Sequence, residues 1–206
     1  MSVLLALTAV IVLILIDVWR RSRKPVKVET SVLIKRYVHP GHTWLRETED
    51  GDVFVGMDDF AQSLIGSIDG VELPRLLHKV RQGAVAWRVR HENRVVPMLS
   101  PVTGRVVEKN EMVLTNPRLI NTSPFGDAWL LRVRPTRLPD QLHNLMTGKQ
   151  IQPWIDAVKS RLNRVFSGTP ALLYQDGGVL MTNLADRCSD DEWAQLVKEL
   201  FLIDEH

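Results

Sequence analysis

Residues 83–110 read GAVAWRVRHENRVVPMLSPVTGRVVEKN, and this stretch decides the fold. Apolar and polar residues alternate over 84–90, which is the period of a half-buried strand. The polar residues 91–94 (HENR) interrupt the alternation as a hairpin tip does, and 95–99 return as a second strand. Residues 100–104 (SPVTG) have turn chemistry, because proline fixes one φ angle and glycine permits a positive one. The pattern predicts a hairpin with an exposed polar tip, a tight turn and a third strand.

This arrangement resembles the lipoyl-carrier hairpin of the glycine cleavage system H-protein family. Five further segments stand in the family's order, and with the hairpin they cover about half of the chain, from about residue 32 to 135. The resemblance implies a barrel-sandwich hybrid of short strands and a carrier function through a lipoyl group on a lysine. The five segments are 42–46 (HTWLR), 55–62 (VGMDDFAQ), 71–74 (VELP), 116–121 (NPRLIN) and 124–130 (PFGDAWL).

The residue at the family's lipoyl-lysine position is an asparagine. In the family this lysine stands seven residues before the serine of the SPVxG turn, and Asn93 occupies that position. The nearest lysines are Lys79 and Lys109, and neither lies at the expected tip. Lipoylation forms an amide on a lysine amine, which an asparagine amide or an arginine guanidinium cannot replace. The sequence therefore predicts no cofactor, and a lipoyl group is not expected.

The N-terminal residues predict a membrane anchor. Residues 2–19 (SVLLALTAVIVLILIDVW) are almost wholly apolar and, as a helix, reach about 27 Å, close to the thickness of a hydrocarbon core. The basic run RRSRK follows at 20–24, whereas a signal peptide carries its basic residues in front. The positive-inside rule then predicts a single-pass protein of the inner or plasma membrane, with its soluble domain on the cytoplasmic side. A buried core helix is the alternative interpretation.

The expected architecture is mainly β with α: one N-terminal transmembrane helix, a lipoyl-like barrel-sandwich hybrid, and a small C-terminal α+β extension. Apolar residues at helical spacing predict an amphipathic helix over 152–166. A capping box at 189–192 (SDDE) predicts a second one after it. The predicted boundaries are an anchor with its basic stop at 1–24, a linker at 25–31, the carrier domain at 32–136 and the extension at 137–206.

Several smaller elements are predicted from local signals. Alternation and turn residues indicate strands, and proline at a first helical position indicates a short helix. The predictions are a first strand at 31–38, a helix from Asp58 to Gly66, a turn of helix at 116–121, a closing strand at 128–133 and a hairpin of 171–174 with 179–181.

Composition excludes several function classes. The net charge of +2 is nearly balanced, so nucleic-acid binding is not expected. The single cysteine, Cys188, excludes an internal disulfide and is interpreted as a small buried residue, with a reactive thiol as the alternative. The six histidines form no metal-ligand spacing, and no nucleophile or phosphate-loop motif is present. The sequence predicts no catalytic residue and no metal ligand.

The predicted function is that of a non-catalytic accessory subunit of a membrane protein complex, anchored through residues 2–19 and without a lipoyl group. One alternative is a lipoyl carrier of the glycine cleavage system or a related pathway, and another is a membrane-fusion adaptor. The possible partner contacts are at the tip and on the two C-terminal helices, because large aromatic residues often dominate interfaces. These contacts are His91, Glu92, Asn93, Arg94, Trp154 and Trp193.

Overall fold

The computed structural model describes residues 35–165, 174–175, 179–180 and 182–202. The strands are β1 Arg36–His39, β2 Thr43–Glu47, β3 Val53–Met57, β4 Gly70–Glu72, β5 Lys79–Val80, β6 Val85–His91, β7 Arg94–Leu99, β8 Gly104–Lys109, β9 Leu131–Pro135, β10 Met146–Thr147, β11 Tyr174–Gln175 and β12 Val179–Leu180. The helices are α1 Asp59–Ile65, α2 Glu111–Thr115, α3 Leu119–Thr122, α4 Leu138–Leu142, α5 Ile151–Val165 and α6 Asp190–Phe201, with 3-10 turns at Gly148–Gln150 and Leu184–Asp186.

Two antiparallel sheets enclose the main core. The larger has the strand order β10-β1-β2-β3-β9-β8-β5, and the smaller has the order β4-β6-β7. Val55 of β3 belongs to the same buried cluster as Val89 of β6 and Val96 of β7, so the two sheets share one core. Strands β11 and β12 form a separate antiparallel pair. The prediction of a mainly β structure with some helices is confirmed.

The β6–β7 hairpin follows the alternation in its sequence. Trp87 and Val89 are buried, whereas Arg88 and Arg90 between them are exposed. A strand repeats every two residues, so position 91 faces inward with Trp87 and Val89. His91 is accordingly 6% exposed. The expectation of a wholly exposed four-residue tip is therefore wrong for its first residue.

The turn after the hairpin is fixed by hydrogen bonds to its backbone. The Ser100 hydroxyl donates to the carbonyl of Val102 at 2.7 Å. The Gln82 amide donates to the carbonyl of Pro101 at 3.0 Å and to that of Gln141 in α4 at 3.0 Å. Buried backbone carbonyls need such partners. The SPVTG turn is thus tied both to the carrier hairpin and to the chain that follows β9.

Helix α1 begins at a buried aspartate. Asp58 is 4% exposed, and its carboxylate accepts from the backbone N–H of Ala61 at 2.8 Å. It also lies 2.9 Å from Nδ1 of His42, which is fully buried. The helix ends at Gly66, whose φ of 99° is open to glycine without strain. The predicted helix and its aspartate cap are confirmed.

We expect Asp58→Ala to destabilise the protein by about 3 kcal/mol, because it removes a helix cap and leaves the buried His42 N–H without an acceptor. Urea unfolding followed by circular dichroism measures the loss. Asp59→Ala is the matched control: this neighbour is exposed in the first turn and interacts mainly with the helix dipole, so its loss should stay under about 1 kcal/mol. Equal losses in the two variants would contradict the structural role of Asp58.

The C-terminal helices pack onto the same core. Val158 and Leu162 of α5 are buried in it, together with Leu196 and Leu200 of α6. Helix α6 begins with the predicted capping box, in which the Ser189 hydroxyl accepts from the Glu192 backbone N–H while the Glu192 carboxylate accepts from the Ser189 backbone N–H. Both predicted helices and the pairing of β11 with β12 are confirmed, each with slightly different ends.

Three predicted elements have different boundaries in the structure. The first strand begins at residue 36, and residues 31–34 lie outside the described ones. The closing strand is shifted to Leu131–Pro135, where it pairs with both β3 and β8. The turn of helix expected at 116–121 is present as α3, Leu119–Thr122, with slightly different ends. The helix α2 before it was not expected, and Asn110 caps it by accepting from the Met112 backbone N–H.

The predicted anchor at residues 2–19 lies outside the described residues. Among the residues that are described, no helix is both long and apolar enough to cross a membrane.

Candidate functional site

The hairpin tip, residues 91–94, ends in a two-residue loop. His91 and Arg94 are the last paired residues, so only Glu92 and Asn93 form the loop, and both are exposed. Glu92 has a φ of 50°, a conformation that non-glycine residues seldom adopt. Its backbone N–H is held by the carboxylate of Asp69. The loop is therefore a defined, somewhat strained turn.

The C-terminal segment, residues 182–202, contacts the tip on one side. His91 Nε2 lies 2.6 Å from Oδ1 of Asp186, and the Arg94 guanidinium donates to the carbonyl of Cys188. The same guanidinium lies 3.4 Å from Asp190 and 5.0 Å from the centre of the Trp193 ring. His91 and Arg94 thus bind to the C-terminal segment through their side chains, whereas Glu92 and Asn93 remain exposed.

A cavity of about 910 Å³ lies where the tip meets the C-terminal segment. All four tip residues line it on one side, and Asp186, Asp190 and Trp193 line it on the other. Most of these groups are polar or charged, so the cavity suits a polar ligand better than an apolar one.

His91 is held through both ring nitrogens. Nδ1 lies 2.6 Å from the carbonyl oxygen of Ser67, opposite the Nε2 contact with Asp186. Burial lowers the pKa of His91, but the Ser67 carbonyl and the Asp186 carboxylate outweigh it, so the net pKa is raised. Because the folded-state pKa is raised, these contacts stabilise the folded protein at low pH, where the ring is protonated. That contribution to stability is lost as pH rises through the folded-state pKa.

The two tryptophans predicted as partner contacts are placed differently from the tip. Trp193 is 7% exposed and belongs to the core, so its ring contacts Arg94 rather than solvent. Trp154 is partly buried, with its ring centre 4.7 Å from that of His42. Partner contact by these residues stays a prediction, and the exposed part of the predicted surface is Glu92 and Asn93.

A second histidine cluster lies in the core, away from the loop. His42 is stacked on Phe60 and lies beside Trp154 and Phe201, and within the described part of the chain its Nε2 has no hydrogen-bond partner. The nearby His39 accepts from the Gly41 backbone N–H, and burial, with the neighbouring His42, lowers its pKa to about 4. His39 is thus uncharged at neutral pH, and His42 is enclosed by aromatic rings, so this cluster is structural.

Sequence patterns missed the partners of the tip. Asp186 stands 95 positions from His91, and no local spacing connects them. The inward position of His91 itself follows from the alternation in β6.

The chemistry of the tip residues does not suit the attachment of a lipoyl group. Attachment needs an amine, and the exposed loop offers the Glu92 carboxylate and the Asn93 amide. Arg94 is engaged with the C-terminal segment, while Lys79 and Lys109 lie in β5 and β8 rather than at the tip. The residues at the tip therefore do not fit a lipoyl group.

Comparison with known proteins places this architecture in context. The family model for the glycine cleavage H-protein matches residues 35–157. A probable glycine cleavage system H protein of Pyrococcus abyssi is 34% identical over 122 residues, which cover 59% of this chain and 90% of the relative. The glycine cleavage system H protein of Shewanella halifaxensis is 38% identical over 118 residues, covering 56% and 88% respectively.

A solved structure agrees with these sequence matches. The crystal structure of a glycine cleavage system H protein from Mycobacterium marinum superimposes with a TM-score of 0.51 at 29% sequence identity. The match covers 56% of this chain and 91% of the other. The lipoyl-like barrel-sandwich architecture expected from the resemblance is thus supported.

These matches contradict three predictions from the sequence. The accessory-subunit function is wrong, because the relatives are named as glycine cleavage system H proteins. The predictions of no cofactor and of a membrane location are contradicted by the same matches.

Proposed function

The chain belongs to the glycine cleavage H-protein family, and on that premise we propose that it acts as an H protein of a glycine cleavage system or a related pathway. It is a carrier-type protein rather than a catalytic enzyme. The observation that carries the proposal is the family match over residues 35–157, which includes both larger sheets, the hairpin and the SPVTG turn. The partners implied are the enzymes of such a system.

The geometry of the tip supports docking into a partner enzyme. Glu92 and Asn93 stand exposed at the end of a hairpin whose strands bury Trp87, Val89 and Val96. A hairpin held by buried residues loses little conformational entropy when its tip enters a binding site. The exposed loop is therefore a preorganised contact surface.

The family also implies a lipoyl group, although the tip offers no amine for it. The proposal accordingly rests on the docking of the tip and derives nothing from an attached group. Intact-mass measurement of the protein from its native cells, followed by peptide mapping, would identify any attached group and the residue that holds it.

We expect the wild-type protein to bind at least one purified enzyme of the glycine cleavage system from the same organism, and Asn93→Trp to weaken that binding at least about tenfold. The indole is too bulky for a site shaped to the small loop. Biolayer interferometry with immobilised wild-type and variant protein measures the affinities.

The matched control for this experiment is Asn163→Trp, which makes the same substitution at an exposed position of α5. It should bind as the wild type does. The proposal fails if none of the enzymes binds, or if both variants weaken binding equally.

A further inference from the structure

Both ring nitrogens of His91 face oxygen acceptors. Nδ1 is 2.6 Å from the Ser67 carbonyl oxygen, and Nε2 is 2.6 Å from a carboxylate oxygen of Asp186. A neutral imidazole has one N–H and can donate to only one of these oxygens. The second nitrogen would then direct its lone pair at another lone pair. At these distances a second proton must therefore lie between His91 and one of the two oxygens, and a metal cation could take the place of that proton if the two atoms moved apart.

The arrangement around His91 matches that of a metal-binding histidine. Such histidines usually donate their other ring N–H to a carbonyl or carboxylate, which fixes the tautomer and the ring orientation. The Ser67 carbonyl holds Nδ1 in this way and leaves Nε2 for a cation. Nε2 points toward Asp186 at the tip cavity, whose oxygen is a suitable second ligand.

A third ligand comes from the strained loop. One ligand atom from each of His91, Glu92 and Asp186 can be chosen so that all three lie within 4.8 Å of one another. Glu92 has the positive φ of 50° described for the loop. One imidazole nitrogen and two carboxylate oxygens form a donor set that zinc accepts.

We propose that His91, Glu92 and Asp186 form a binding site for a divalent metal ion of the zinc class, between the hairpin tip and the C-terminal segment. Tetrahedral zinc with bonds of about 2.1 Å holds its ligand atoms about 3.4 Å apart, so Nε2 and Oδ1 need to separate by roughly 0.8 Å. Asp186 has the freedom for this movement, since its side chain is 46% exposed. A water molecule completes the four ligands.

The surrounding charges leave these ligands available. Arg90 is paired with Asp69 at 3.0 Å, and Arg94 is engaged with the Cys188 carbonyl and with Asp190. Each neighbouring guanidinium thus has an acceptor other than the proposed ligands. The carboxylates of Glu92 and Asp186 can then balance the two positive charges of the metal ion.

The metal ion would replace the proton on Nε2. Binding then releases a proton, and the apparent affinity falls as pH is lowered. Glu92, Asp69, Asp190 and Arg94 are the other charged groups around the ring.

Isothermal titration of the full-length chain with zinc chloride, with any affinity tag removed, tests the site. We expect one zinc ion per chain, with affinity at least about tenfold weaker near pH 6 than near pH 7.5. Asp186→Asn and Glu92→Gln keep the side-chain shapes and should each weaken binding at least about tenfold.

The matched control is Asp190→Asn, which removes an equal charge from the same cavity without removing a proposed ligand. It should bind zinc within about twofold of the wild type. Thermal unfolding of each variant without metal establishes that it is folded. The proposal is overturned if the wild type binds no zinc, or if Asp186→Asn and Glu92→Gln bind it as tightly as Asp190→Asn does. Neither result bears on the docking of the tip to glycine-cleavage enzymes, which the Asn93→Trp experiment tests separately.

Discussion

Asn93→Lys is expected to make the hairpin tip a substrate for a lipoyl ligase. Residue 93 stands in the exposed two-residue loop, at the family's lipoyl-lysine position seven residues before Ser100. The buried residues of β6 and β7 do not contribute to the loop, so the substitution leaves the hairpin frame intact. A lysine there supplies the amine that the wild-type residue lacks.

The readout is intact mass after incubation with a lipoyl ligase, lipoate and ATP, followed by peptide mapping. We expect more than about half of the Asn93→Lys protein to gain one lipoyl amide on the peptide that contains residue 93, because the substitution places an exposed amine at the hairpin tip, in the position of the family's lipoyl-lysine. The wild type cannot be modified at that residue. Asn163→Lys, an exposed lysine on α5, is the matched control and should remain unmodified at residue 163.

The C-terminal segment provides a second comparison. Arg94 ties the tip to Cys188 and Asp190, so Arg94→Ala in the Asn93→Lys background frees the loop on that side. If the single variant is modified slowly and the double variant quickly, the segment restricts access to the tip. If neither is modified, the tip does not have the carrier geometry of the family, and the proposed function loses its structural support.

The second large effect concerns Gly104 → Ala. Gly104 begins β8, where it pairs with Val80 of β5 and Pro135 of β9. A Cβ atom at this position would overlap the backbone carbonyl oxygen of Arg134 and lie 2.7 Å from Cγ1 of Val133. A backbone carbonyl inside a sheet cannot move away as a surface side chain can. Overpacking of this kind costs about 3 kcal/mol.

For a domain of this size the loss lowers the melting temperature by roughly 10 °C, which thermal unfolding followed by circular dichroism measures. Gly148→Ala is the matched control, because its Cβ would meet no atom within 4 Å and only its φ of 53° opposes the change. That strain costs about 1 to 2 kcal/mol. Equal losses in the two variants would show that the close approach of β9 is not what requires glycine at position 104.

Local patterns in the sequence determined most of the elements of this protein. Alternation predicted β6 and β7, Asp58 and Gly66 marked the two ends of α1, and the capping box marked the start of α6. Such signals survive in a single sequence because they depend on a residue's immediate neighbours along the chain. The order of the family segments also indicated the barrel-sandwich architecture.

Element boundaries were less well determined where two local signals competed. Proline at position 117 favoured a helix start there, but the Asn110 side chain caps a helix that begins at Glu111. The function was predicted wrongly for a similar reason. The apolar run at 2–19 and the asparagine at position 93 indicated an accessory subunit, whereas the six family segments together indicated an H protein.

Only the tertiary structure decided how the tip is surrounded. His91 contacts Asp186 across 95 positions, Arg94 reaches Cys188 across 94, and β10 pairs with β1 across more than 100 residues. Contacts between such distant segments depend on how the sheets and the C-terminal helices pack, which no local spacing encodes. Trp193 shows the same limit: its helical spacing placed it on an apolar face, but only the packing of α6 showed that this face is buried.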